Sequence, residues 1–150
     1  MLTWRICRRE HQALDGEGAR LSGGRWNSEG IPAVYSSSSL ALAALEYLVH
    51  VDIQDVPDDL VALSIAVPDD AEVQTVQLRD LPADWNRIPD HPACVALGDA
   101  WATEGAALAL LAPSAVLPED QNVLINPRHP RAGDVVVRSV RPFAFDPRLL

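Results

Sequence analysis

The apolar residues of this chain come in short runs, each closed by proline, glycine, serine or an acidic residue. The longest, Leu40–Val51, is too short to span a bilayer, and Glu46 interrupts it. Runs of this kind read as strands and short helices. LTWRICR alternates loosely and suits an opening strand. IPAVYSS, LVALSIAV and VQTVQL read as further strands, the last two separated by the turn PDDA, and ALALLAPSAV, NVLINP and DVVVRSVRPFAF read as closing strands. The Ser36–Ser39 run supplies N-cap candidates for a helix after the second strand. A second helix starts at Pro92 and runs through ACVALGDAWATEG, with Gly105 to end it. HQALDGEGARLSGGRWNSEG is polar and glycine-rich and reads as a long loop, of the sort that often carries function. Strands outnumber helices and do not alternate strictly with them. The expected class is therefore α+β (mixed α/β) in a single domain over residues 1–150, not a doubly wound parallel sheet.

Charge narrows the choice of partner. A formal net charge of −9 and a pI near 4.7 argue against direct binding of nucleic acid, which usually needs a basic face. Cys7 and Cys94 are too few for a disulfide framework or a zinc site and read as reduced, buried thiols. His50 and His129 lack ligand spacing, so no metal is expected. No P-loop, GxGxxG, HExxH or CxxC occurs. The start MLTWRICRRE has no apolar segment behind its basic residues, so a cytoplasmic protein without a membrane anchor is expected.

Four residues stand out. On a helix, Glu46 has Leu42, Ala43, Val49 and His50 as its neighbours at three and four residues, and all but His50 are apolar. A carboxylate beside the buried stripe is costly, at about 1.4 kcal/mol per unit of pKa shift, and persists only with a partner or a use. The plain alternative is a glutamate at the border of the stripe with its head in water. Arg25 follows two glycines, where backbone can approach something closely, and its planar fork matches a carboxylate or a phosphate. Without other information it is a surface arginine. Tyr35 ends an apolar strand as a core tyrosine would, and Ser114 in LLAPSAV leaves a strand as a turn serine would.

Taken together these positions resemble a known family. GGRWNSEGIPAVYSSSSLALAALEYLVH, LGDAWATE, APSAVLPEDQNVLINPRHP and PFAFDPRL, in this order, are similar to RES-domain proteins over nearly the whole chain. The Arg, Glu and Ser of the family's name fall on Arg25, Glu46 and Ser114. The resemblance implies an ADP-ribosyltransferase-like split mixed sheet with flanking helices. It implies a toxin of a toxin–antitoxin pair that consumes NAD as substrate, needs no cofactor and is silenced by a cognate Xre-like helix-turn-helix antitoxin, with a homodimer as a further expectation. Arg25, Tyr35 and Glu46 would be catalytic. Ser114 and Arg5 would contact NAD. Arg25 would make the cleft electropositive and help keep Glu46 ionised, and an acidic antitoxin segment would fill it. Asn126 and Pro127 are expected to hold the fold. Transfer of ADP-ribose to a protein, or a silent nucleotide-binding module, are the alternatives.

Overall fold

A computed structural model describes all residues, Met1–Leu150. Seven strands form one mixed sheet: β1 (Leu2–Arg8), β2 (Val34–Ser37), β3 (Leu60–Ala66), β4 (Val73–Thr75), β5 (Ala109–Pro113), β6 (Gln121–Ile125) and β7 (Val136–Pro142). Their spatial order is β4-β5-β6-β2-β1-β3-β7. Three helices flank it: α1 (Glu17–Ser22), α2 (Leu40–Leu48) and α3 (Pro92–Glu104). The α+β class and the split mixed sheet expected of this chain are both present.

The split has a definite place. β1 pairs with β3 along its whole length, and β2 pairs with β6 from Val34 to Ser37. Between β1 and β2 only Trp4 and Ser37 are partners. The sheet therefore forks at this pair, and the strands part beyond it. α2 leaves β2 just after the fork and packs Ala43 with Ile6, Leu60 and Ala62. Ser39 caps this helix, accepting from the Leu42 N–H at 3.1 Å.

The sheet is covered on both faces, which explains why β3 and β5 read as near-continuous apolar runs. Leu110, Ala112 and Leu124 pack with Trp26, Trp85 and Trp101 under α3. Val61, Leu63 and Ile65 pack with Cys7, Val34 and Ile125 on the other side. Cys7 and Cys94 are buried and free, as expected. α3 begins at Pro92 and ends at Gly105, whose φ of 66° is the left-handed cap that glycine allows. Asn126 is buried, donates to the Ala102 carbonyl at 3.1 Å and accepts from the Arg128 N–H, a fold-holding role.

One expectation needs correction. The glycine-rich segment before β2 contains the short helix α1, which buries none of its residues and so leaves no apolar stripe to read. The turn PDDA separates β3 from β4 as expected, and β4 then crosses to the far edge and pairs parallel with β5. No helix is long and apolar enough to cross a membrane.

Candidate functional site

The fork opens into a cleft of about 980 Å³. That is at the upper end of the ~300–1,000 Å³ of typical small-molecule sites. Arg5 of β1, Tyr35 of β2, Glu46 of α2, Asn122 of β6 and Arg25 from the loop before β2 all line it. Of the residues expected to act together, only Ser114 lies outside the lining.

Glu46 is half-buried, at the border between the covered Leu42 and Ala43 and the exposed Val49. Its carboxylate has partners on β6 and just after the end of β5. The Ser114 hydroxyl donates to Oε1 at 2.6 Å, and Asn122 Nδ2 donates to the same oxygen at 2.7 Å. Ser114 is fully buried, and its Oγ also accepts from the N–H groups of Val116 and Leu117 at 3.1 Å each. Ser114 thus contacts Glu46 and is not among the residues that line the cleft.

Arg25 is engaged elsewhere than expected. Its Nη1 donates to the carbonyls of Trp85 at 3.2 Å and Arg87 at 3.1 Å, and its Nη2 lies 3.5 Å from Asp90. No ion pair joins it to Glu46, so the expected help in keeping that carboxylate ionised is not built this way. Asp90 also lines the cleft and offsets part of the Arg25 charge. Arg5, by contrast, has no ion-pair partner; its Nη1 donates to the Ala13 carbonyl at 3.3 Å.

Tyr35 explains the second of the two glycines before Arg25, Gly24. Its hydroxyl accepts from the Trp26 N–H at 3.1 Å and donates to Asn27 Oδ1 at 2.7 Å. A Cβ at Gly24 would stand 2.7 Å from that hydroxyl, so the close approach that glycine permits is to Tyr35. Burial pushes the Tyr35 phenol well above its ordinary value of 10.0, against a smaller downward effect of the Trp26 N–H. A folded-state value raised in this way stabilises the protein fully below pH ~10, and the contribution is lost as pH rises through the folded value. Stability is therefore expected to fall above pH ~10. Tyr35→Phe should make that fall shallower in urea titrations taken from pH 8 to 11. It will not abolish it, because burial also raises Tyr47, Cys7 and Cys94.

The RES domain family model matches residues 2–146. The chain belongs to the RES-domain family. Relatives bear this out over nearly their full length. The chain is 39% identical to a protein of Sphingobium sp. (strain YBL2) named Prs ADP-ribosylating toxin, covering 98% of this chain and 95% of the relative. It is 37% identical to Toxin Res of Yersinia enterocolitica, covering 99% of both. In fold it is similar to a chain of the M. tuberculosis MbcT–MbcA toxin–antitoxin complex, with a TM-score of 0.77 at 24% identity over 95% of this chain and 84% of that one.

Two site residues of this RES domain carried no signal in its sequence. Asn122 and Ser37 read as an ordinary strand polar residue and a helix-cap serine, and only the pairing of β2 with β6 brings them beside Glu46.

Proposed function

We propose that this RES domain is the toxin of a toxin–antitoxin pair and that it consumes NAD by breaking the nicotinamide–ribose bond. The observation that carries the reading is a carboxylate fixed by two hydrogen bonds to one oxygen, at the wall of a cleft large enough for a dinucleotide. The family membership and the names of the relatives support it.

The chemistry matches the residues. As the C1′–N bond breaks, nicotinamide leaves with the bonding pair as a neutral molecule, so no acid is needed to protonate it. The ribose gains oxocarbenium character, and the negative charge of Glu46 stabilises it. An acceptor oxygen then bonds to C1′ and its proton passes to solvent water. Arg5, the cation without an ion-pair partner, is assigned to the diphosphate. Arg25 braces the loop from Trp85 to Asp90 as a cleft wall and meets the substrate only with its remaining N–H groups. The Tyr35 ring forms part of the same wall.

Two arginine variants should separate these roles. Arg5→Ala is expected to raise KM for NAD by about tenfold with a smaller change in kcat, as loss of a charge-assisted contact does. Arg25→Ala should lower kcat and also loosen the wall. The reverse pattern in steady-state kinetics would exchange the two assignments.

The deciding experiment incubates purified, partner-free protein with NAD, with and without inorganic phosphate, and separates the products. Nicotinamide release is expected. ADP-ribose, its 1″-phosphate or labelled protein identifies the acceptor as water, phosphate or a side chain. The name of the Sphingobium relative makes labelled protein the second reading. Intact NAD after prolonged incubation would overturn the enzymatic reading in favour of a silent nucleotide-binding module. As a toxin the protein should slow growth when expressed alone, and co-expression of a helix-turn-helix antitoxin should restore it.

A further inference from the structure

Asn122 holds Glu46 and is itself held. A carboxylate offers only acceptors, so the amide must turn Nδ2 toward Glu46, at 2.7 Å from Oε1. That leaves Oδ1 to accept from the Ser37 hydroxyl, again at 2.7 Å. Ser37 is buried and is the β2 residue of the single pair that joins β2 to β1. It also stands opposite Asn122 in the β2–β6 ladder. The chain Ser37–Asn122–Glu46 therefore ties the carboxylate to the point where the sheet forks.

The resulting contacts are one-sided. Oε1 receives both the Ser114 and the Asn122 hydrogen bonds, and no hydrogen bond from the protein reaches Oε2. Two donors converging on one oxygen, one from β6 and one from just after β5, fix the plane of the carboxylate as well as its place. A single donor would leave it free to turn about the Cγ–Cδ bond.

We propose that Asn122, oriented by Ser37, is a positioning residue that fixes Oε2 as the oxygen of Glu46 that meets the substrate. This rests on the NAD-cleaving reading of the cleft and names how its carboxylate is aimed.

The test uses the purified protein and three variants. Asn122→Ala is expected to lower kcat for nicotinamide release by about tenfold or more while KM for NAD stays within about twofold, because misaimed groups cost rate and not binding. Ser37→Ala should lower kcat in the same sense by a smaller factor. Asn122→Asp places a second carboxylate where Nδ2 now touches Oε1. Two carboxylates at that distance hold a proton to higher pH, so the acid limb of the turnover profile should move up by about one pH unit or more. Charge placed at a residue out of contact with the Glu46 carboxylate would not move that limb so far. The other charged or titratable groups lining the cleft (Arg5 on β1, Tyr35 on β2, Arg25 and Asp90 in the loops, Tyr47 and His50 beside Glu46) are the same in every variant.

An unmoved acid limb in a folded Asn122→Asp protein overturns the proposal, as does wild-type kcat in both alanine variants. Should Asn122→Asp fail to fold, Ser37→Ala decides alone, since it adds no charge. The carboxyl titration of Glu46, followed by NMR without NAD, separates the two levels of the argument. A titration that moves in Asn122→Asp, in a protein whose wild type releases no nicotinamide, upholds the positioning and overturns the NAD reading. A titration that does not move overturns the positioning whatever the activity.

Discussion

Replacing Glu46 by glutamine is expected to lower nicotinamide release by on the order of a hundredfold or more, with thermal unfolding unchanged. Glutamine keeps an acceptor oxygen where Oε1 now lies, so the hydrogen bonds from Ser114 and Asn122 survive. What disappears is the negative charge, together with the free acceptor at Oε2, where an N–H group takes its place. The substitution thus removes the charge that a developing oxocarbenium ion needs and leaves the scaffold intact. Steady-state turnover paired with a melting curve reads both. A variant that unfolds while keeping its activity per folded molecule would make Glu46 structural and the cleft's chemistry something else.

The largest effect on stability is expected at Gly98, in the middle of α3. A Cβ there would lie 1.7 Å from the Trp26 carbonyl oxygen and 2.6 Å from its carbonyl carbon. Backbone on both sides leaves nothing flexible to yield. Trp26 is itself buried under α3, and the neighbouring Asp99 accepts from the Ser28 N–H at 2.8 Å, so the loop cannot move away alone. Gly98→Ala should cost about 3 kcal/mol or more. For a chain of this size that is a fall of about 10 °C in Tm. Turnover should suffer with it, because the same loop carries Arg25. A calorimetric scan within a degree or two of wild type would show that α3 and the loop have room that their contact does not suggest.

How much could be read in advance depended on whether a signal was local. α3 was legible at both ends, since Pro92 and Gly105 act through their own backbone chemistry. β3 and β5 were legible because burial on two faces removes polar residues from the run itself. The partner of β4 was not, because alternation says which way a side chain points and nothing about which strand lies alongside. The site divides in the same way. Glu46 could be singled out because its helix neighbours are close in sequence. The carbonyls and carboxylate that Arg25 meets lie some sixty residues away, and no local pattern announces them. Ser114 could be singled out as a family position, yet its orientation toward Glu46 follows only from where β5 ends beside α2.

The fork between β1 and β2 leaves two strand edges unpaired with each other, and Trp4–Ile6 and Tyr35–Ser37 on those edges line the cleft. β1 continues to Arg8 beyond Trp4, and β2 runs back to Val34 from Ser37, without a ladder between them. Peptide groups on those edges keep their donors and acceptors whatever side chains they carry. A molecule lodged in the fork can therefore be gripped by main chain, as an added strand would be. Side-chain truncation around the cleft would then understate its affinity for ligand, and the grip would persist through extensive drift in the sequence of its walls.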